Sequence, residues 1–181
     1  GDVSHPEELA ALAEQVLDND EVRYCPHGRP VAIRLTRKEL EKEGVEISYI
    51  DVDKEGFIDL KQLESEIRPT TILICCMYAN NEIGTVQPIR AIADAVHAHG
   101  IPLLCDAVQA IGHVPIDVKA EHIDMLSLSG HKFYGPKGIG ALYIRRGVRI
   151  QNLIHGGAQE SKHRAGTENV PGIVGIGVAV E

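Results

Sequence analysis

The chain has 181 residues, 44% of them hydrophobic and 24% charged, with a formal net charge of −8, an ordinary balance for one sizeable globular domain. That charge argues against a general binder of nucleic acid, which needs basic surface to neutralise phosphates. No apolar run reaches the roughly 18 residues that span a bilayer, and the opening GDVSHPEELA lacks the basic and apolar regions of a secretory signal.

Apolar positions at helical spacing predict a helix in PEELAALAEQVL, with Pro6 in its first turn. The turn-rich CPHGRP follows, then an alternating strand, VAIRLT. Thr36 and Glu39 have capping-box spacing for a short helix in TRKELEKEG. VEISYIDVD reads as a strand and DLKQLESEI as a helix. From Thr71 the strand–helix alternation becomes strong. TILICCMYA is a continuous apolar run, the pattern of a strand buried on both faces. NNEIGTVQP is a loop, and IRAIADAVHAHG an amphipathic helix ending at Gly100. PLLCDA, HIDMLSLS and the glycine-led GIGALYIRRG complete the strands. The implied fold class is α/β, a mainly parallel sheet with flanking helices. The cysteines Cys25, Cys75, Cys76 and Cys105 form no disulfide framework, which suits a reducing, cytoplasmic setting. The last three fall in expected buried strands, as core residues.

The chemistry concentrates between Asn81 and Thr167. In SLSGHKFYGPKGIG, a polar Ser-Gly-His-Lys follows a buried strand, at the edge where α/β folds place ligands. Lys132 there is either a solvated loop lysine or an amine held to condense with an aldehyde. Asp106 ends the PLLCD strand, with Gln109 three residues on. A carboxylate at a buried strand end is costly unless it meets a cation. It is either the N-cap of a following helix, AVQAIG, or the partner of a pyridinium nitrogen. Asn81, taken alone, is a turn residue.

Together the stretches ANNEIGTVQPI, LLCDAVQAIG, DMLSLSGHKFYGPKGIGALYIRRG and HGGAQESKHRAGTENVPGIVGIG resemble the class-V aminotransferase branch of fold-type-I pyridoxal-phosphate enzymes. The resemblance is strongest to cysteine desulfurases and selenocysteine lyases, and it spans residues 43–181. It implies part of that fold's large domain, and release of sulfur from L-cysteine, or of selenium from selenocysteine, to leave alanine. It implies pyridoxal 5'-phosphate as cofactor, with Lys132 as the Schiff-base lysine that also moves the substrate proton. By the same resemblance Asp106 pairs with the pyridine nitrogen, Gln109 with the ring oxygen, and Ser129 and His131 with the phosphate. Asn81 lies near the ring oxygen and the substrate carboxylate. Thr167 reaches the phosphate of a partner subunit, which implies a homodimer. A sulfur-acceptor scaffold, as in iron–sulfur cluster assembly, is the implied partner. The family's phosphate loop and ring-stacking histidine would lie upstream of this segment, and its persulfide cysteine and substrate-clamping arginine downstream. The expectation is therefore a catalytically incomplete chain.

Residues 1–42 have another character. CPHGRP, with the sequence around it, resembles the extreme C-terminus of the MutL mismatch-repair endonucleases. There its cysteine and histidine help bind a metal, which would make Cys25 and His27 zinc ligands here. Two ligands are too few for tight zinc binding, and both residues also read as ordinary loop positions. The alternative functions are thus a mismatch-repair-derived metal-binding module of α+β type, or a non-catalytic fusion fragment joined near residues 42–45.

Overall fold

The computed structural model describes residues 42, 44–152 and 154–181. The expected PEELAALAEQVL helix, the CPHGRP loop with Cys25 and His27, the VAIRLT strand and most of the TRKELEKEG helix lie outside the described residues. The chain divides into two units, Gly1–Tyr49 and Ile50–Glu181, and every element named below belongs to the second.

The strand expected in VEISYIDVD is not formed. Its place is taken by one antiparallel bridge, Val52 to Ile58. A tight turn closes that bridge. The Asp53 N–H donates to Phe57 O at 2.8 Å, while Asp53 Oδ1 accepts the N–H groups of Glu55 and Phe57. An aspartate that satisfies the backbone locally competes with a ladder, and Tyr49 and Val52 stay exposed. Helix α1, Leu60–Glu66, follows as expected, with Asp59 Oδ1 accepting from the N–H groups of Lys61 and Gln62 and with Leu63 buried. Those bonds satisfy two of the amides that a helix start leaves without partners.

Four strands make one sheet in the order β1 (Ile74–Met77), β2 (Leu103–Asp106), β3 (Met125–Ser129), β4 (Gly140–Ile144). The first three run parallel and β4 is antiparallel to β3. Helix α2, Ile89–His97, joins β1 to β2 and buries Ile89, Ile92, Ala93 and Val96. Gly100, at φ +71°, ends that segment with its N–H on His97 O at 2.9 Å, a left-handed stop that glycine takes without strain.

Successive side chains of a strand point to opposite faces. Register partners in the ladders place Cys76, Cys105 and Leu126 together, and all three join the core with α2. The opposite face carries Cys75, Met77, Leu104, Asp106, Ser127 and Ser129. TILICCMYA is therefore not buried on both faces: its ladder is confined to Ile74–Met77, with one isolated bridge from Ala79 to Val86, Cys75 is exposed, and Ile72 is 76% exposed. Among the described residues, the α2 side is the packed side of this strand.

The N-terminal edge of the sheet is fastened by Asp124, which is fully buried. Its Oδ2 accepts the Leu103 N–H at 2.8 Å and lies 2.6 Å from His97 Nε2, while Oδ1 lies 2.5 Å from Arg145 Nη2. One carboxylate thereby joins the ends of α2 and β4 to the start of β2. Helix α3, Val170–Val180, is an element the sequence leaves unassigned. Asn169 Oδ1 caps it by accepting the Gly172 N–H at 3.1 Å.

Candidate functional site

The site residues collect where β2 and β3 end. The Asp106 carbonyl accepts the Tyr78 N–H at 2.8 Å, and the Ala107 N–H donates to Ser127 O at 3.0 Å. Asp106 is thus the last residue fixed on both sides by neighbouring strands. Its side chain shares a sheet face with its register partner Ser127, and Ser129 lies two residues further along β3. Asp106 Oδ1 accepts the Val108 N–H at 3.0 Å, so the capping reading holds for one oxygen. Among the described residues, Oδ2 has no hydrogen-bond partner and is available to a cation.

After Asp106 the chain coils through consecutive turns rather than a regular helix. The Ala110 and Ile111 N–H groups donate to Ala107 O, and those of His113 and Val114 to Ala110 O. Gln109 lies half-buried in that coil. After Ser129 the chain makes a single 3-10 turn, Gly130–Lys132. Ser129 Oγ and His131 Nδ1 are hydrogen-bonded at 2.8 Å, and Lys132 is exposed. The returning strand passes close by. A Cβ at Gly140 would sit 2.6 Å from Leu128 O, so only glycine lets β4 start against β3 here.

Asn81 lies past the end of β1 and is exposed; the turn around it is built by Asn80, whose Oδ1 accepts the N–H groups of Glu82 and Ile83. The structure therefore brings Asp106, Gln109, Ser129, His131 and Lys132 to adjoining strand ends, with Asn81 beyond the same sheet edge. Thr167 stands on a separate loop before α3, exposed. That loop is braced by Arg164 Nη1 donating to Gly166 O at 2.7 Å and by Gln159 Oε1 accepting the Gly166 N–H at 3.2 Å. Gln159 carried no signal in the sequence, because the Gly166 N–H it accepts lies seven residues on; Asn80 and Arg164 act on backbone two or three residues away, a local turn role that the sequence analysis did not assign to them.

The described cysteines hold their protons more tightly than a free thiol does. Burial pushes the Cys76 thiol up to about 11, with Cys75 beside it adding to the effect. Burial also raises Cys75 and Cys105, the latter helped by Cys76, Glu121 and Asp106. The thiolate is the reactive form, and all three are thiols at neutral pH. Among the described residues, no group of three or more His, Cys, Asp or Glu side chains could hold a metal ion, and no helix is long and apolar enough to cross a membrane.

The mixed sheet thus holds, at the ends of two adjoining parallel strands, a lysine and a carboxylate oxygen that has no hydrogen-bond partner among the described residues. The class-V aminotransferase family matches residues 9–181, and the chain belongs to it. Relatives include the cysteine desulfurase IscS of Methanosarcina thermophila, 62% identical over 142 residues, which are 78% of this chain and 35% of that protein. A second is the cysteine desulfurase IscS of Clostridium botulinum strain Hall, 57% identical over 150 residues, 83% of this chain and 38% of that protein. Among solved structures, SspA in complex with cysteine matches with a TM-score of 0.75 at 50% identity, over 78% of this chain and 41% of that one. A NifS-like protein matches with a TM-score of 0.76 at 44% identity, over 79% and 40%. The chain spans little more than a third of the length of the two curated relatives. Both kinds of relative agree with the desulfurase resemblance, and the family match begins at residue 9, ahead of residue 43, where the sequence resemblance begins.

Proposed function

We propose that the chain forms the middle of the large domain of a cysteine desulfurase, an enzyme that takes sulfur from L-cysteine, or selenium from selenocysteine, and leaves alanine. The observation that carries this reading is the meeting of Asp106 and the Lys132 turn at the ends of neighbouring parallel strands, in a chain whose relatives are desulfurases. When bound, pyridoxal phosphate supplies an aldehyde and a ring that withdraws electrons. Asp106 Oδ2 would take the ring nitrogen, and a carboxylate there keeps that nitrogen protonated. Gln109 would donate to the ring oxygen. Ser129 and His131, already hydrogen-bonded to each other, would hold the phosphate. Lys132 Nζ would hold the aldehyde carbon and then accept and return the substrate proton. Asn81 would sit by the ring oxygen and the substrate carboxylate, and Thr167 would reach the phosphate bound by a second copy, making the working form a homodimer. A sulfur-acceptor scaffold, as in iron–sulfur cluster assembly, is the proposed partner, and the free thiols fit the cytoplasm. Residues 1–42 are proposed as a separate, MutL-like segment, with Cys25 and His27 as its candidate zinc ligands. The division of the chain between Tyr49 and Ile50 falls near that boundary.

The test is to incubate the chain with pyridoxal phosphate, reduce with borohydride and map the labelled lysine. Label is expected on Lys132 and absent in Lys132→Ala. Asp106→Ala should weaken cofactor affinity about tenfold to a hundredfold, the worth of one charged hydrogen bond. Label spread evenly over Lys61, Lys119 and Lys137, unchanged in Lys132→Ala, would overturn the proposal.

A further inference from the structure

Lys132 sits on a turn of three residues, too short to fix its own orientation. The Gly130 N–H fixes the start of that turn on Ile139 O at 2.9 Å, and two further contacts, both from the coil that follows β2, hold Lys132 and its neighbour. His113 Nε2 lies 3.3 Å from the carbonyl oxygen of Lys132. A carbonyl only accepts, so Nε2 carries the proton and donates. Phe133, the next residue, is 3% exposed. Gly112 packs beneath it so closely that a Cβ there would lie 2.8 Å from Phe133 Cβ, and Gly112 itself takes a φ of +78°. Two consecutive residues, Gly112 and His113, thus grip two consecutive residues, Phe133 and Lys132.

That coil is the continuation of Asp106 and Gln109. The turn bonds from Ala110 to Ala107 and from His113 to Ala110 carry it without a break. The coil therefore spans from the Asp106 carboxylate to the carbonyl of Lys132. We infer that His113 is a positioning residue for Lys132, setting where the lysine's backbone stands relative to Asp106. This rests on the proposed reading of the site, in which one molecule touches both. An amine and a carboxylate serving one ring must be held within a fraction of an ångström.

Three variants separate the hydrogen bond from the ring. The amide nitrogen of Gln reaches about as far along the side chain as Nε2 does; that of Asn stops short. The first readout needs no cofactor: amide hydrogen exchange over residues 130–135. The second is the rate at which pyridoxal phosphate is trapped on Lys132 by borohydride, set against its non-covalent affinity. In His113→Ala, exchange over the turn should quicken about three- to tenfold and trapping should slow by a similar factor, the effect of one neutral hydrogen bond. His113→Gln should restore both and His113→Asn neither. Exchange unchanged in His113→Ala would overturn the inference, as would equal loss of trapping in His113→Gln. If the wild-type chain is not trapped on Lys132 at all, the cofactor reading fails and takes the positioning role with it. The exchange data would still report whether His113 holds the turn.

Discussion

Cys76 and Tyr78 lie at the end of β1, and both hold their protons more tightly than an unfolded chain would. Burial raises Cys76 from 9.0 to about 11, with Cys75 adding. Burial raises Tyr78 from 10.0 to about 12, helped by its hydrogen bond to Glu121 at 2.9 Å. A raised pKa means the folded state prefers the protonated group. The contribution is full below the unfolded value and is lost as pH rises through the folded one. Stability from these two groups should therefore hold steady to about pH 9 and fall between about pH 9 and 12. Urea midpoints measured across that range check it. Tyr78→Phe should flatten the upper part of the fall, and an unchanged slope would show that Tyr78 is not its source. At this scale the placing of Asp106 and Lys132 at strand ends was legible, because polar residues that end or closely follow an apolar strand are conspicuous; their roles, and that of Gln109, are those proposed above. His113 was not legible: a lone histidine in a turn has no spacing to mark it, and its partner lies on another element. Cys75 was misplaced for a related reason, since an unbroken apolar run does not say which face is covered.

Among the elements, the strands and helices from Asp59 onward were mostly legible. Their periodicities differ, and Asp59 and Gly100 mark a start and a stop. VEISYIDVD misled because alternation shows only that a strand could form, whereas a ladder needs a neighbour. Asp124 was invisible, as His97, Leu103 and Arg145 meet it only in the fold. The Leu103 N–H and the two side chains all depend on that carboxylate. Removing it would leave a buried amide unpaired and two donors without their anion. Asp124→Ala should therefore destabilise by about 3 kcal/mol, tempered by the partial exposure of His97 and Arg145. Asp124→Asn, which keeps one acceptor, should cost less. Urea denaturation of the three proteins decides the matter. A loss under about 1 kcal/mol in the alanine variant would mean that the carboxylate does not clasp the sheet edge.

For the molecule as a whole, the outstanding feature is apolar surface in contact with water. Helix α3 reads VPGIVGIGVAV, without a charged side chain, and its buried residue is Gly172. Val170 is 58% exposed, Val174 61%, Val178 69% and Val180 62%. On the sheet side Ile72 and Leu142 are 76% and 48% exposed. A helix apolar on all sides is normally buried, and contiguous apolar patches on soluble proteins mark surfaces that bind something. With nothing else in solution, the available cover is another copy of the chain. The purified protein should therefore self-associate as its concentration rises, seen by sedimentation velocity. Val174 and Val178 are one helical step of four apart, hence on one face. Replacing both with Lys should move the distribution toward monomer while leaving the fold intact, because neither belongs to the core around α2. Association that persists unchanged in the double variant would shift the responsibility to the sheet side. A wild-type chain that stays monomeric at every concentration and melts cooperatively would show that these exposed surfaces do not drive assembly.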